Sequence, residues 1–345
     1  MAGVPWAEDY WSQFHSLEYQ VVPSLPSYQQ DSDLPYIHVE DGVRRSYEPD
    51  GLTADSPVVW FFEGSTMWGE GQRDLHTTPS NIARLAERDG VALRVVNFGE
   101  RGRAHREEML RFDRALAEPP EGGLPDVVVF YDGVNDVSVQ DPSGGGIPSD
   151  DPTIYITGAG SSSNSVPPVL SASTPGASGP WLEGILERSL VLRLVGELGL
   201  ESPASADDAP TTDQMVARTV DIYERGRALS LGLAEREGAR PLFFWQPFIQ
   251  STLEGTPAAL VREQLTPPTI DLSRTLLGVP FDTVYLDGAH LNERGAEIVA
   301  EAMLLPLLSA LGVAPTGSPD GSGVTSDQVP PTATSAATAV PPAPS

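Results

Sequence analysis

The chain contains neither cysteine nor lysine. Without cysteine there is no thiol nucleophile, no thiolate metal site and no disulfide, and the redox compartment is left open. Without lysine there is no Schiff-base amine, no Ser-Lys dyad and no Walker A phosphate loop. All 21 basic residues are arginine, set against 48 acidic residues, for a formal charge of −27 over 345 residues. So acidic a surface argues against nucleic acid or anionic lipid as a partner. Long apolar runs are also scarce. None approaches the roughly 20 residues of a membrane helix, and the apolar segment near the end is expected to break at Pro306. Residues 1–20 have neither the basic start nor the apolar stretch of a secretory leader. On that reading the chain is cytoplasmic by default, and extracellular if an upstream signal was removed.

What is present divides the chain into three parts. Residues 1–54 are rich in aromatic and polar residues without clear periodicity, and are expected to form an extension packed on the core. Residues 55–312 alternate short β-branched runs with helical patterns, the signature of a parallel sheet covered on both faces. Residues 313–345 are mainly Pro, Thr, Ser, Ala and Gly, too poor in large apolar groups to offset their ordering entropy, and are expected to be disordered. Within the middle part the expected strands are Val58–Phe62, Leu93–Phe98, Val127–Tyr131, Pro241–Trp245 and Thr283–Leu286. Helices fit between and after them at Ser80–Arg88, Ala104–Ala117, Trp181–Leu198, Val216–Glu237 and Glu293–Leu308. The stretch 141–180 is Gly, Ser, Pro and Asp rich and longer than an ordinary connection, which marks it as a functional or disordered loop.

The polar residues follow the strands in a consistent way. Ser65 comes just after the first, Gly99 and Gly102 after the second, Gly133, Asn135 and Asp136 after the third, and Asp287 with His290 after the last. In an open parallel sheet the C-terminal strand ends share one edge, where ligands bind, so residues distant in sequence converge there. A hydroxyl, an imidazole and a carboxylate on that edge are what nucleophilic acyl transfer requires. Each residue taken alone also has an ordinary reading: Ser65 as a turn or helix cap, Asn135-Asp136 as a turn, Asp287-Gly288 as a turn, and His290 as a cap of the helix that follows.

In order, these segments resemble the SGNH or GDSL hydrolases. Glu63-Gly64-Ser65-Thr66 looks like the block that carries the nucleophile, and Asn97-Phe98-Gly99-Glu100-Arg101-Gly102 resembles the second block. Asp132-Gly133-Val134-Asn135-Asp136 is similar to the third, and Asp287-Gly288-Ala289-His290 to the fifth. One departure stands out: the family usually has Asp directly before the serine, where this chain has Gly64. The resemblance implies a three-layer α/β/α sandwich with about five parallel strands and a serine carboxylic-ester hydrolase acting on short-chain acyl or O-acetyl esters. It further implies Ser65 as nucleophile, His290 as base and Asp287 as its orienter. The N–H groups of Ser65 and Gly102 and the Asn135 amide would form the oxyanion hole. No cofactor and no metal is implied, and the partner is a small-molecule or polysaccharide ester.

Other plans fit less well. An α/β-hydrolase elbow needs Gly two residues before and after the serine, where this chain has Glu63 and Met67. No Gly-x-Gly-x-x-Gly follows the first strand, and no His-Glu-x-x-His occurs. His105 lies in an Arg-Glu-Glu stretch that reads as a solvated helix face, leaving it a lesser candidate base. Trp68 and Gln246 flank the expected rim as candidate substrate contacts, beside Arg101 and Arg103. Two rival classes stay open: a non-catalytic carbohydrate or surface-binding protein on the same scaffold, and a metal-dependent hydrolase using Asp132, Asp136 and His290.

Overall fold

Side chains that alternate between two buried faces along the central strands set the layers. On strand β6 (Val58–Phe62), Val58, Trp60 and Phe62 face one side and Val59 and Phe61 the other, and all five are buried. A strand with two apolar faces must be covered twice. The computed structural model describes residues 4–20, 28–140 and 211–313 and shows that arrangement. In chain order the N-terminal part supplies α1 (Ala7–His15), a two-stranded pair of β1 (Tyr19–Gln20) and β2 (Tyr28–Gln29), then β3 (Ser32–Asp33), β4 (His38–Glu40) and β5 (Val43–Arg44). After β6 follow α2 (Ser65–Trp68), α3 (Thr78–Arg88), β7 (Arg94–Asn97), α4 (His105–Ala117), β8 (Val127–Asp132) and α5 (Val134–Gln140). The last part holds α6 (Thr212–Arg236), β9 (Arg240–Trp245), α7 (Ile249–Thr252), α8 (Pro257–Gln264), β10 (Ile270–Asp271) and α9 (Glu293–Leu311).

The main sheet has the order β10-β9-β8-β6-β7-β5-β4-β3. From β10 to β7 every pairing is parallel, giving the expected five-stranded parallel core, and β5, β4 and β3 extend it antiparallel. Helices α3 and α9 cover one face, with Ile82, Leu85, Met303 and Leu307 packed on Val59, Phe61, Val127 and Val129. Helices α4 and α6 cover the other, with Phe112, Ala115 and Ala234 against Trp60, Phe62 and Phe130. The helix starts follow local chemistry. Thr77 accepts from the Ser80 N–H with Pro79 in the first turn of α3, and Asn292 accepts from the Arg294 and Gly295 N–H groups at α9. On α1, Tyr10 and Phe14 pack with Ile37, Val39 and Trp68.

Two expectations fail. Thr283–Leu286 is not a strand: Phe281–Thr283 is a 3₁₀ turn, and the chain then doubles back so that Leu286 N–H donates to His290 O and Asn292 N–H to Val284 O. These local bonds replace a sheet ladder, and the fifth parallel strand is β10. Pro306 does not break the last helix, which runs on to Leu311. An interior proline costs about 3 kcal/mol, but Met303, Leu307 and Leu308 on either side of it are wholly buried, and each such side chain contributes roughly 1.5–3 kcal/mol. The expected helix Trp181–Leu198, the loop 141–180 and the tail beyond residue 313 lie outside the described residues.

Candidate active site

The first strand delivers the serine. Chain leaves the sheet at Phe62, turns at Glu63-Gly64 and opens α2 with Ser65 as its first residue. Ser65 Oγ lies 2.7 Å from His290 Nε2, and His290 Nδ1 lies 2.8 Å from Asp287 Oδ2, joining groups 225 residues apart. The Asp287 carboxylate also ties its own loop, since Oδ1 accepts from the Ala289 N–H at 2.9 Å and the His290 N–H at 2.8 Å. The spacing of three therefore lets one side chain hold both the turn and the ring.

Electrostatics follow from burial and these contacts. Burial pushes the Asp287 carboxyl up, but the His290 charge, their hydrogen bond and the two backbone donors outweigh it, and its pKa ends below the usual carboxylate value. Burial pushes His290 down, yet the charges of Asp287 and Glu70 and the bond to Asp287 raise it to about 9. Glu63, buried beside the nucleophile, is pushed up to about 7 by desolvation.

Asn135 enters from the third strand end, where Gly133 turns with φ +147° before α5. Its Nδ2 donates to the Arg103 carbonyl at 2.8 Å. A Cβ at residue 64 would fall 2.1 Å from that same nitrogen, so the Asn135 amide occupies the space a side chain there would need. In this chain, therefore, glycine at 64 leaves the room that the Asn135 amide fills. Gly102 sits at φ +73°, and the N–H groups of Ser65 and Gly102 take no partner among the described residues. Gly99 has other work: its N–H donates to Asn97 Oδ1, and a Cβ would strike the Trp68 backbone at 2.3 Å.

Trp68 and Gln246 are brought near but not onto the rim. Trp68 is buried beneath Phe14 with the Arg44 guanidinium over its ring at 4.1 Å. Gln246 is buried too: its Oε1 accepts from Thr66 Oγ1 at 3.1 Å and its Nε2 donates to Glu63 Oε1 at 3.4 Å. Both groups thus brace the nucleophile segment from behind. Sequence reasoning missed Glu70, whose Oε2 lies 3.8 Å from His290 Nε2 and accepts from Arg101 Nε at 3.1 Å. It lies five residues past the serine with no motif to mark it.

His105 is not on a solvated face. It is buried, with Nδ1 3.1 Å from both Asp132 oxygens and Nε2 3.1 Å from Ser230 Oγ. Asp136 fixes this corner by accepting from the His105 N–H at 3.1 Å and the Gly133 N–H at 3.2 Å. Burial, then the Asp132 charge, push Asp136 up to about 7, and burial with the charges of Asp132 and Asp136 raises Glu108 well above a normal carboxylate. Ligand atoms of His105, Glu108 and Asp132 lie within 4.8 Å of one another, but both ring nitrogens of His105 already have protein partners. The Asp132–Asp136–His290 metal arrangement is not assembled: those carboxylates gather around His105, and His290 is bonded to Ser65 and Asp287.

The chain is thus a parallel α/β/α sandwich with a hydrogen-bonded Ser–His–Asp row beside the C-terminal end of its first parallel strand. No family model matches the chain, and no curated protein matches it. Among solved structures it is similar to a psychrotrophic esterase, EstA, from Pseudoalteromonas sp., with 9% identity, TM-score 0.40, and coverage of 74% of this chain and 100% of the other. A putative lipolytic protein of the G-D-S-L family from Desulfitobacterium hafniense matches at 11% identity and TM-score 0.39, covering 73% and 99%. An acetyl xylan esterase, AlAXEase, matches at 16% identity and TM-score 0.37, covering 72% and 99%. At such distances, what the site does has to be read from its own atoms.

Proposed function

We propose that the protein is a carboxylic-ester hydrolase working through an acyl-enzyme on Ser65. The observation that carries this reading is the continuous row of Ser65 Oγ, His290 and Asp287 at 2.7 and 2.8 Å. His290 Nε2 takes the Ser65 proton as Oγ attacks the ester carbonyl, and Asp287 holds Nδ1–H and supports the imidazolium that forms. The carbonyl oxygen becomes an oxyanion facing the Ser65 N–H, the Gly102 N–H and the Asn135 amide. His290 then protonates the departing alcohol, water enters by the same base, and the acid leaves with Ser65 restored. Ser65 and His290 are only 8% and 5% exposed, which suits short-chain acyl or O-acetyl esters.

Ser65→Ala tests the assignment on a chromogenic acetate ester. Turnover should fall to background with an unchanged circular dichroism spectrum and with no effect of chelator on the wild type. A Ser65→Ala protein as active as wild type would exclude the nucleophile.

A further inference from the structure

Two carboxylates face the ring of His290 from opposite edges. Asp287 holds Nδ1, while Glu70 Oε2 lies 3.8 Å from Nε2, the edge that exchanges the proton. Glu70 is fixed there. Its N–H donates to the Ser65 carbonyl at 2.9 Å, and its carboxylate is held by Arg101 Nε at 3.1 Å. Arg101 is backed in turn by the Phe14 ring of α1, 4.3 Å from its guanidinium carbon. The two side chains are 9% and 15% exposed, so water screens them little.

The departing alcohol oxygen must come within hydrogen-bond reach of Nε2 to take its proton. A group on the carbon beside that oxygen is then carried toward a carboxylate oxygen 3.8 Å from the same nitrogen. We propose that Glu70, clamped by Arg101, selects the alcohol half of the substrate: it favours esters of neutral hydroxylated alcohols, such as polyols and sugars, and rejects alcohols bearing an anion next to the ester. A hydroxyl there donates to a carboxylate, a charge-assisted bond stronger than a neutral one. An anion there meets like charge where solvent is largely excluded. The ring feels the same neighbour: burial lowers its pKa, and Glu70 is the second charge, after Asp287, that holds it up. Glu63 is the other acidic group facing the ring. The inference rests on Ser65 and His290 acting as proposed above.

The experiment compares 2-hydroxyethyl acetate, propyl acetate and acetoxyacetate, which share an acyl group and differ beside the alcohol oxygen. In the wild type kcat/KM should fall in that order, with about tenfold or more between the hydroxylated and the anionic ester. Glu70→Gln should compress that ratio to within about threefold and move the acid limb of the propyl acetate profile to lower pH. Arg101→Gln, which leaves Glu70 less neutralised, should widen the ratio. Each variant is scored by a ratio of two substrates on one preparation, so a partly folded sample does not change the result. A wild type indifferent to the three alcohols, or a Glu70→Gln protein with the wild-type ratio and pH profile, overturns the role of Glu70 alone. No hydrolysis of any ester by the wild type overturns the esterase reading beneath it.

Discussion

Placing a single methyl group at residue 64 tests how the oxyanion side of this site is built. In Gly64→Ala the new Cβ falls 2.1 Å from Asn135 Nδ2 and 3.1 Å from the Arg103 carbonyl oxygen. Ordinary contact for such atoms is about 3.5 Å, so the amide must retreat by more than 1 Å. It cannot simply slide, because the Arg103 carbonyl it bonds at 2.8 Å is crowded by the same methyl. In the reaction proposed above, the oxyanion then loses that donor. Loss of one such donor costs about 2.7–4 kcal/mol, or roughly 10²–10³ in kcat. That interaction is made with the oxyanion rather than with the ground-state ester, so KM should change little. Asn135→Ala should show the same loss, and the double variant should be no worse than either single one, since both remove one contact. Gly64→Asp, a larger side chain in the same space, should lose at least as much. Steady-state kinetics on an acetate ester provide the assay. A Gly64→Ala enzyme within about threefold of wild-type kcat would refute the argument.

Two further outcomes follow from charge. With His290 at about 9, the free enzyme holds imidazolium at neutral pH, so kcat/KM should rise about tenfold per pH unit below 9 and level off above it. A plateau reached by pH 7 would contradict this. The shift also contributes to stability, with the sign set by a folded pKa above the unfolded 6.5. The contribution is fully present below about 6.5, is lost as pH rises through about 9, and amounts to roughly 3 kcal/mol for His290 with Asp287, Glu70 and Glu63 together. Urea unfolding at pH 6 and pH 10 measures it in Ser65→Ala, where turnover plays no part. Arg44, wholly buried, bonds Asp74 at 3.0 Å and the carbonyls of Trp68, Gly69 and Gln72 at 2.7, 2.8 and 2.6 Å. Arg44→Met removes the donor from Asp74 Oδ1 and from the Trp68 and Gln72 carbonyls, while the Gly69 carbonyl keeps the Tyr10 hydroxyl and the Gln72 N–H, and should cost about 3–5 kcal/mol; a loss under 1 kcal/mol by denaturation would show that the acceptors find other partners.

How far the chain could be read in advance depended on how local each signal was. Val58–Phe62 and Val127–Tyr131 are apolar on both faces, so their strands, and the residues just past them, were legible from composition alone, the second strand running one residue further to Asp132. Asp287 and His290 were legible because their contact spans three residues. The strand expected at Thr283–Leu286 failed because its backbone groups are satisfied by the returning chain, a pairing that no pattern of side chains records. His105 looked solvated because Arg106, Glu107 and Glu108 follow it in sequence, whereas the helix start turns it inward to Asp132, whose partnership depends on tertiary contact alone. Glu70 was missed for the same reason: what marks it is distance to a ring 220 residues later.

Among the described residues Ser, His and Asp form two hydrogen-bonded rows, and the proposed chemistry uses one. Ser230 Oγ, His105 and Asp132 stand at 3.1 and 3.1 Å, close to the spacing of the first row. Ser230 lies in the middle of α6, where its N–H is committed to the helix, and both it and His105 are wholly buried. Asp132 is further tied by the Tyr223 hydroxyl at 3.1 Å. Ser65 instead opens a helix at the sheet edge, and its own N–H and that of Gly102 take no partner among the described residues. Side-chain order is common to both rows; among the described residues, unpartnered backbone N–H groups and a serine that is not wholly buried belong to one. Ser230→Ala should therefore keep kcat within about twofold and lower stability by about 0.5–1.5 kcal/mol, the worth of one buried hydrogen bond. Ser65→Ala should do the reverse, abolishing turnover with little change in unfolding midpoint. If Ser230→Ala is inactive yet folded while Ser65→Ala still turns over, the two rows have exchanged the roles given to them here.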